Sequence, residues 1–541
     1  MKTFKLMMVL LIFSVIVIMI SIFNCLSTKL FFRKPMTPVY SHFRLAKSAI
    51  HTTVVSNSKE QVKLPQVYKN CTSFSTPSKS LVEIVNPRTV YRVSEQVIIR
   101  IEARTANGSI QPFGGDFLRM KLFSKKPYSA IGPDTFIDYD NGTYLATFTL
   151  RWQGIVNVSV QLVHSSCVID IMKGVTQKSI EEGLLFWGKF ERQLKKGTSY
   201  SENVHCGHVP RQFPYCNVSA NHTHGPWFCN KPENTNITCH DWTESSFDMS
   251  KSSENLRHLL TDVEYTALER TKIPLTTLPM PSFKVEASNI TSSFTTSQLP
   301  LCTFQPVPSG IATRGFFRKN IWQPFDCRLT NFKSEQIKSC LNGKSMHFFG
   351  DSTARQLYKY VEVLINCTAE GNFWIKLCSQ GNVSILFKFH GPPVRIVHSA
   401  PIRQISYLTD EIDALKGGPG VYIVVSVWAH IGMPDGHFYK ARLISIKSAI
   451  DRLLQRSPET RIIVRSANTR DHSIGAFLLV SSDWVALKGE RTLREVFSKD
   501  ERISFLDVWD MTLVQQSHDY IHPHLPTLVQ TINYLFTMIC K

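Results

Sequence analysis

The hydrophobic and polar positions of the 541-residue chain fall into stretches of different periodicity. Residues 6–26 form an almost unbroken apolar run, residues 97–163 contain short alternating segments, and the chain beyond Cys302 alternates strand-like with helix-like patterns. Alternation with a period of two indicates half-buried strands, whereas apolar residues three and four positions apart indicate amphipathic helices. Because a chain of this length is also too long for one hydrophobic core, the pattern predicts a multidomain protein.

A β-sandwich is predicted for residues 79–165. Turn signals such as Asn107-Gly108 and Asn141-Gly142 separate segments in which apolar and polar residues alternate. Several short strands at this spacing are typical of a sandwich of two sheets. The four clearest segments are VIIRIEAR (97–104), FLRMKLFS (117–124), TYLATFTL (143–150) and IVNVSVQLV (155–163).

A C-terminal α/β domain is predicted for residues 301–541. The alternation of strands and helices implies a three-layer arrangement, with helices on both faces of a mostly parallel sheet. Functional residues of such sheets collect at the carboxyl ends of the strands. Strands are predicted near 345–349, 421–427, 461–466 and 503–509, and helices near 353–365, 440–456 and 525–538.

The N-terminal apolar run directs the chain into the secretory pathway. Its 21 residues match a bilayer span and exceed the apolar core of an ordinary cleavable signal. Small residues at Cys25 and Ser27 leave cleavage open, so residues 1–29 are predicted to be a signal peptide or a signal-anchor helix. Residues 30–78 lack a sustained apolar period and are expected to form a stem. The protein is therefore expected to be secreted or to be a type II membrane protein of the Golgi.

Cysteine usage agrees with an oxidising compartment. Of the 13 cysteines, one lies in the apolar run, which leaves an even number of 12 for disulfide bonds. Ten Asn-x-Ser/Thr sequons add the expectation of several N-linked glycans. The sequons begin at Asn70, Asn107, Asn141, Asn157, Asn217, Asn221, Asn236, Asn289, Asn366 and Asn382.

Residues 166–300 are predicted to be a cysteine-rich linker region. They include Cys206, Cys216, Cys229 and Cys239 close to five histidines, so a zinc site is an alternative to disulfides. The cysteines lack the close C-x-x-C pairs of zinc knuckles. We therefore favour disulfides and expect no metal.

The net charge of +19 favours anionic partners such as sialylated or sulfated glycans, or a membrane surface. The basic residues are scattered, with no run of five or more, which is also typical of a generally solvated surface. Entry into the secretory pathway excludes nucleic acid as a partner.

The candidate catalytic residues begin with Gly350-Asp351-Ser352. Ser352 follows an apolar run and precedes a helical pattern, so it is predicted at a helix N-terminus, where backbone N–H groups favour a developing oxyanion. A serine becomes nucleophilic when an imidazole takes its proton and an acid orients that imidazole. Asp519 and His522, near the C-terminus, could supply the acid and the base.

Other residues remain alternatives for these two roles. Asp507 or Asp510 could also converge on the ends of the strands, and Asp510 is a rival for the acid. His524 is a rival for the base, although the Asp-x-x-His spacing favours His522.

At these residues the chain resembles the neurexophilin and PC-esterase domain family. The Gly-Asp-Ser triplet, followed later by Asp-x-x-His, is similar to the pattern of the PC-esterase branch of the SGNH hydrolases. The segments FFGDSTARQLY, HGPP and FLDVWDMT are similar to those of vertebrate members of the neurexophilin and PC-esterase domain family. The resemblance implies an SGNH-like C-terminal domain and a neurexophilin-like sandwich of the immunoglobulin or filamin type. It makes Ser352 the nucleophile, His522 the base and Asp519 its orienting acid.

One part of the family pattern differs in this chain. Relatives usually offer a glycine and an asparagine as oxyanion donors from two further strand ends, whereas the strand at 421–427 runs into Trp428 and no asparagine stands there. Ser426 or His430 could substitute for the asparagine, and Gly391, or alternatively Gly381, could supply a backbone donor, so these residues are the candidate oxyanion donors.

The resemblance implies acyl-ester chemistry on the hydroxyls of a glycan or glycoprotein, by an O-acetylesterase or O-acetyltransferase, with sialic acid as one candidate substrate. Both reactions share an acyl-enzyme at Ser352 and differ in whether water or a sugar hydroxyl attacks it. No cofactor is expected, apart from acetyl-CoA as the acyl donor of a transferase.

Two other functions are compatible with the sequence. The chain could be a secreted or surface glycoprotein that binds a cell-surface receptor and has a degenerate esterase domain. The resemblance to neurexophilins, which are ligands of neurexins, implies this alternative. It could also be a lectin that binds glycans without turnover.

Overall fold

The structure, a computed structural model, describes residues 74–181, 185–194, 197–210, 213–219, 226–247, 254, 257–270, 281–287, 298–392, 399–431, 436–470, 482–515 and 521–540. The predicted signal or anchor and nearly all of the predicted stem lie outside these ranges. Within them, every helix is too short or too polar to span a bilayer.

The strands of the described residues run through the whole chain. In order they are β1 (Leu81–Ile84), β2 (Val90–Arg92), β3 (Gln96–Glu102), β4 (Phe117–Ser124), β5 (Ser129–Ile131), β6 (Thr135–Asp138), β7 (Thr143–Thr149), β8 (Gly154–His164), β9 (Phe186–Gln193), β10 (Ser199–Gly207), β11 (Tyr215–Asn217), β12 (Phe228–Asn230), β13 (Trp242–Ser246), β14 (Ser282–Glu286), β15 (Gly315–Arg318), β16 (Ile321–Pro324), β17 (Ser345–Gly350), β18 (Glu370–Gly371), β19 (Ile375–Gln380), β20 (Val383–Phe389), β21 (Ala400–Pro401), β22 (Val421–Ser426), β23 (Arg461–Arg465) and β24 (Ile503–Leu506).

The α-helices of the described residues lie mostly in the C-terminal half. They are α1 (Ser166–Glu181), α2 (Asp262–Arg270), α3 (Ser334–Leu341), α4 (Ser352–Ile365), α5 (Leu408–Ala414), α6 (His437–Arg456), α7 (Asp483–Phe497), α8 (Trp509–Leu513) and α9 (Leu525–Ile539).

The N-terminal part is the β-rich structure that the alternating pattern predicts. In β7 the side chains of Tyr144, Ala146 and Phe148 are buried, and in the neighbouring β3 those of Val97 and Ile99 are buried. One sheet has the order β1-β3-β7-β6 and the other the order β16-β15-β5-β4-β8-β14-β2. The four predicted segments are confirmed, each to within two residues of β3, β4, β7 and β8.

The second of these sheets includes strands from later in the chain. β14 pairs with β8 and β2, and β15 pairs with β5. These added strands lie within residues 282–324, beyond the predicted sandwich range of 79–165. A complete second sheet therefore requires residues from both downstream regions.

The cysteine-rich region folds as α1 followed by a sheet of order β11-β12-β10-β9-β13-β21. Disulfides Cys206–Cys229 and Cys216–Cys239 cross-link this sheet. Because the four sulfur atoms are bonded in pairs, the prediction of disulfides is confirmed and these cysteines are not zinc ligands. Further disulfides are Cys302–Cys327, Cys340–Cys540 and Cys367–Cys378, and Cys167 is also disulfide-bonded.

The sequons on described residues lie mostly at the surface. Asn157 of β8 differs, because it is half-buried and its Nδ2 donates to the Phe123 carbonyl at 3.2 Å. Glycosylation at each sequon stays a prediction. The exposed sites are Asn107, Asn141, Asn217, Asn236, Asn366 and Asn382, and the sites outside the described residues are Asn70, Asn221 and Asn289.

The C-terminal sheet has the order β18-β19-β20-β17-β22-β23-β24. The last five of these strands are parallel, and β18 and β19 form an antiparallel edge. The prediction of a mostly parallel sheet is therefore confirmed. In chain order the parallel strands are arranged 2-1-3-4-5, so the order reverses beside β17, where sheets of this kind form a ligand-binding crevice at the carboxyl ends of the strands.

The predicted strand at 503–509 is too long. β24 ends at Leu506, because Asp507 Oδ1 accepts the backbone N–H of Trp509 at 3.3 Å and this local bond turns the chain into α8. The three predicted helices are confirmed as α4, α6 and α9, whereas β20 and α7 had not been predicted.

Buried polar contacts join the sandwich to the parallel sheet. Arg119 of β4 forms an ion pair with Asp483 at the start of α7, and both side chains are buried. Lys121, also in β4 and buried, donates from Nζ to the Gln515 carbonyl at 3.1 Å. The sandwich thereby holds the chain a few residues before His522.

Candidate active site

Ser352 lies at the turn between the central strand and the following helix. β17 ends at Gly350, and the half-buried Ser352 is the first residue of α4. Gly350 has a φ of +148°, and a Cβ atom there would lie 1.9 Å from the carbonyl oxygen of Ser426. Only glycine therefore allows β17 and β22 to approach this closely where the chain turns.

Asp351 holds this turn with both carboxylate oxygens. Oδ1 accepts hydrogen bonds from the backbone N–H and the hydroxyl of Thr353, at 2.8 and 2.6 Å. Oδ2 accepts from the backbone N–H groups of Trp428 and Ala429, at 3.0 and 2.8 Å. Because the side chain is fully buried, these four donors replace its lost hydration. Asp351 caps α4 and also ties the serine turn to the end of β22.

The segment that carries His522 is bonded to the same end of the sheet. Gln356 of α4 donates from Nε2 to the Pro523 carbonyl at 3.0 Å. Asn468, buried just beyond β23, donates from Nδ2 to the Ile521 carbonyl at 2.8 Å. The residues on either side of the half-buried His522 are thus held by the serine helix and by a neighbouring strand end.

Asp519 lies outside the described residues, so its pairing with His522 stays a prediction. The rival acids have partners of their own: Asp507 accepts from Arg494 at 2.9 Å, and Asp510 accepts from the backbone N–H of Arg314 at 2.6 Å. Both line a cavity of about 330 Å³ that lies apart from the serine turn.

His524, the rival base, occupies a different position from His522. It is exposed and precedes the first residue of α9, where its carbonyl accepts the N–H of Leu528 at 2.9 Å. Its backbone N–H donates to Gln515 Oε1 at 3.3 Å.

The candidate oxyanion donors lie at the ends of two strands that flank β17. Ser426 ends β22, and its hydroxyl oxygen lies 2.9 Å from that of Thr353. Gly391 follows β20, where a Cβ atom would lie 2.6 Å from the ring of Tyr407. The third candidate, His430, belongs to a histidine pair. The fold brings these three to the carboxyl edge of the sheet, and their roles stay predictions. Gly381 lies instead in the turn between β19 and β20, at the opposite end of β20.

His390 and His430 form a buried imidazole pair at the ends of β20 and β22. Nε2 of His390 lies 2.9 Å from Nδ1 of His430, and Nδ1 of His390 lies 2.7 Å from the Gly391 carbonyl oxygen. The ring of Phe389 packs on both imidazoles, with centroid distances of 5.1 and 5.3 Å. Burial lowers the pKa of His390 to about 4, so this ring is neutral at physiological pH.

The indole of Trp428 holds a buried donor beside the serine turn. The residue is 3% exposed, and Nε1 has no hydrogen-bond partner among the described residues. Leaving a buried donor unpaired costs roughly 1–3 kcal/mol. The backbone N–H of Trp428 binds Asp351, so the residue lies next to the serine turn at the end of β22.

Two arginines give this end of the sheet a positive charge. The half-buried Arg355 lies three residues after Ser352 in α4, with Cζ 4.0 Å from the centroid of the Phe373 ring. The buried Arg465 ends β23 and donates to Asn468 Oδ1 at 2.9 Å. Burial lowers the pKa of both guanidinium groups, that of Arg465 to about 10, and both remain cationic at neutral pH.

Three residues of this site are not among those that the sequence predicts. His390 had a signal, since it begins the HGPP segment at the end of an apolar run. No sequence pattern marks Gln356 or Asn468, because a side-chain amide in a helix or after a strand is common. Their role depends on the tertiary structure, which places the His522 segment against them.

Two sequence profiles match this chain. The profile described as "Neurexophilin" matches residues 55–249, and the one described as "NXPE family member 4-like, C-terminal domain" matches residues 322–540. The second range contains the whole parallel sheet, Ser352 and His522. The neurexophilin match and the paired cysteines indicate the secretory pathway.

A curated relative is the N-acetylneuraminate (7)9-O-acetyltransferase of Danio rerio. It is 25% identical over 236 residues, which are 41% of this chain and 29% of that protein. The chain thus spans less than a third of the length of this relative.

Three solved structures are similar to parts of this chain. They are the Lin-41 filamin domain (16% identical, covering 17% of this chain and 83% of that one), the Escherichia coli adhesin FdeC (18%, covering 16% and 27%) and the bacterial integrin-binding protein invasin (11%, covering 59% and 60%), each with a TM-score of 0.14.

Proposed function

Because the chain belongs to the neurexophilin and PC-esterase domain family, we propose that it is an O-acyltransferase or esterase of sugar hydroxyls that works through an acyl-enzyme at Ser352. The observation that carries this proposal is the serine turn itself. Ser352 is the first residue of α4, and the carboxylate of the preceding residue, Asp351, accepts four hydrogen bonds that hold the turn. Gln356 of the same helix donates a hydrogen bond to the segment that carries His522. A nucleophile, a base and a fixed strand-to-helix turn are the parts that acyl transfer needs.

In the proposed mechanism Ser352 Oγ attacks the acyl carbonyl while His522 takes its proton. Collapse of the tetrahedral intermediate breaks the bond to the donor, and His522 returns the proton to the leaving group. Asp519 would orient the imidazole. The 2-1-3-4-5 strand order supports an SGNH-like domain, in which these residues meet at the carboxyl ends of the strands.

The oxyanion of the tetrahedral intermediate needs hydrogen-bond donors, and this chain lacks the asparagine that supplies one of them in relatives. We assign two of them to the backbone N–H groups of Ser352 and Gly391, at the ends of β17 and β20. The third is the unpaired indole N–H of Trp428, which stands at the end of β22. Donors fixed in place before the reaction stabilise the developing charge without a cost of reorganisation.

The substrate that we propose is an anionic sugar, with sialic acid the leading candidate. The relative from Danio rerio is an N-acetylneuraminate O-acetyltransferase. Arg355 places a guanidinium on the nucleophile helix, where it could pair with the sugar carboxylate. Acetyl-CoA would be the acyl donor of the transfer reaction.

The test is acetyl transfer by the purified full chain. Wild type, Ser352→Ala and Ser379→Ala, an exposed serine of β19, are incubated with acetyl-CoA and a sialoglycoprotein, and O-acetyl sialic acid is measured by mass spectrometry. We expect acetylation by wild type and Ser379→Ala and none by Ser352→Ala, at equal thermal stability. Equal acetylation by all three proteins would refute Ser352 as the nucleophile.

A second candidate function is that of a cell-surface ligand. It is favoured by the neurexophilin match over residues 55–249, a range that does not contain the serine site. A ligand would bind cells equally well as wild type and as Ser352→Ala, with no acetyl transfer by either. Acetyl transfer by the wild type would show that the serine site is catalytic, and the ligand function would then not account for that site.

A further inference from the structure

Strand β4 of the sandwich is buried on both of its faces. Of its eight residues all but Ser124 are buried, whereas a strand of an antiparallel sheet commonly turns one face to water. Arg119 and Lys121 are two positions apart, so their side chains point to the same face of β4. Both side chains bond to residues that follow β23 or β24, and the C-terminal domain therefore covers this face of the sandwich.

The contact of Arg119 leads to the residue before His522. Nη2 of Arg119 donates to the Arg470 carbonyl at 2.9 Å. Two positions before Arg470, the side chain of Asn468 donates from Nδ2 to the Ile521 carbonyl at 2.8 Å. The short segment after β23 is thus held by the sandwich on one side and holds the His522 segment on the other.

The contacts of Lys121 lead to the other side of His522. Its Nζ donates to the Gln515 carbonyl at 3.1 Å and to the hydroxyl of Tyr128 at 3.0 Å. Tyr128, the residue before β5, donates in turn to the Val514 carbonyl. The side chain of Gln515 is buried, and its Oε1 accepts the backbone N–H of His524 at 3.3 Å. One residue therefore receives hydrogen bonds from the sandwich at its backbone and from the His522 segment at its side chain.

We propose that the sandwich is part of the catalytic unit and that Lys121, Tyr128 and Gln515 are positioning residues for the base His522. Two series of contacts start on one face of β4 and reach the residues on either side of His522. The proposal rests on the proposed function and deepens it, because it assigns the placement of the base to the neurexophilin-like part of the chain as well as to the parallel sheet.

These three residues act on the reaction only through the position of the imidazole. All three are buried and bonded to one another or to the backbone, so they contact no substrate in this arrangement. A general base works only within hydrogen-bond reach of the proton that it takes, and a small displacement slows the reaction strongly. Loss of a positioning contact is therefore expected to lower kcat and to leave KM for the sugar unchanged.

Tyr128→Phe tests the contact between the sandwich and the chain before His522. It removes one hydroxyl, which leaves the Val514 carbonyl without this donor. Tyr91→Phe is the matched control, because Tyr91 is also buried in the sandwich and donates to a carbonyl, that of Asn86, at 2.5 Å. That bond lies entirely within the sandwich, so the control reports any general effect of removing a buried tyrosine hydroxyl.

Gln515→Met tests the link from the same contact to the His522 segment. The substitution keeps most of the side-chain volume and removes the acceptor of the His524 N–H. If Tyr128 acts through Gln515, the two substitutions affect one series of contacts, and the effect of the double variant is smaller than the product of the single effects.

The assay measures acetyl transfer by the full chain to methyl N-acetylneuraminate, with folding checked by thermal melting. We expect kcat to fall about threefold to tenfold in Tyr128→Phe and in Gln515→Met, the order expected for one hydrogen bond, while KM changes less than about twofold. The double variant should be no slower than about twofold below the slower single variant. Equal kcat for Tyr128→Phe and Tyr91→Phe, or effects that multiply fully in the double variant, would overturn the inference.

Hydrogen exchange measured by mass spectrometry separates this inference from the proposed function. The peptide that contains residues 521–524 should exchange faster in Tyr128→Phe and in Gln515→Met than in the wild type and Tyr91→Phe, because both variants loosen the hold on the His524 N–H. This result supports the positioning contacts even if the wild type transfers no acetyl group, and unchanged exchange in both variants contradicts them. Absence of acetyl transfer and of fluorophosphonate labelling at Ser352 in the wild type would refute the proposed function alone.

Discussion

Gln356 donates a hydrogen bond of 3.0 Å to the Pro523 carbonyl, although the two residues are 167 positions apart in the chain. This bond connects the helix of the candidate nucleophile to the segment of the candidate base. Because His522 is adjacent to Pro523, the geometry of the proposed serine–histidine pair depends on it.

Gln356→Met should therefore slow the reaction of Ser352 with a fluorophosphonate probe. The substitution keeps the helix and most of the side-chain volume but leaves the Pro523 carbonyl without this donor. A net hydrogen bond of about 1 kcal/mol corresponds to a roughly threefold to tenfold slower labelling rate. Lys359→Met, at an exposed position of the same helix, is the control, and equal rates for the two variants would refute the role of Gln356.

Asp351→Asn should destabilise the domain. The carboxylate accepts four hydrogen bonds, and in either orientation the amide N–H₂ group of asparagine would face two of these donors in place of an acceptor. We expect the free energy of unfolding to fall by roughly 2–4 kcal/mol, measured by denaturant titration. Asp170→Asn, at a surface position, is the control. An unchanged transition in Asp351→Asn would contradict the assigned network.

Trp428→Phe separates the indole donor from the packing of the ring. Removing a buried, unpaired N–H should leave thermal stability equal or slightly higher, whereas loss of an oxyanion donor should lower kcat for acetyl transfer by about 10²- to 10³-fold. Trp227→Phe is a matched control, because Nε1 of Trp227 is also buried without a partner but lies in the cysteine-rich region. Unchanged kcat in Trp428→Phe would remove this residue from the mechanism.

The ion pair of Arg119 with Asp483 should couple the stability of the sandwich to that of the parallel sheet. Arg119→Met removes the buried countercharge of Asp483, whose carboxylate then keeps the hydrogen bond from the backbone N–H of Arg470, and this loss is expected to cost roughly 3–5 kcal/mol. The double variant Arg119→Met with Asp483→Leu should recover most of that loss. Calorimetry of the three proteins checks this, and equal stability of the single and double variants would show that the charge is not the cause.

Lys121 makes a testable contribution to the pH dependence of stability. Burial lowers its pKa to about 7, against about 10.4 in an unfolded chain. Between these values the unfolded state binds more protons than the folded state, so the contribution of Lys121 to stability rises as pH rises from 7 to 10. In melting curves over this range, Lys121→Met should remove that rise, and parallel profiles for the wild type and the variant would contradict the burial of a titrating amine.

Local sequence patterns predicted the bounds of many strands and helices, because those bounds depend on burial periodicity and capping within the same segment. The alternation of apolar and polar residues from Val156 to Leu162 predicted β8 to within one residue at each end, and the start of α4 follows from Gly350 and the cap of Asp351. The end of β24 depends on one bond between Asp507 and Trp509, which periodicity does not encode.

The rest of the site required the tertiary structure. His390 and His430 are 40 positions apart and meet only because β20 and β22 flank β17 in the sheet. Asn468 and Gln356 acquire their roles from the crossing of the His522 segment over strand ends. No spacing in the sequence indicates which strands will be neighbours, so these contacts could not be foreseen.

The most direct test of the serine mechanism is detection of the acyl-enzyme itself. The full chain is incubated with acetyl-CoA, quenched in acid and digested, and the peptide that contains Ser352 is examined by mass spectrometry before and after addition of methyl N-acetylneuraminate. We predict an acetyl ester on Ser352 that disappears as the acetylated sugar forms. Formation of acetylated sugar without any ester on Ser352, and at the same rate with Ser352→Ala, would contradict the mechanism.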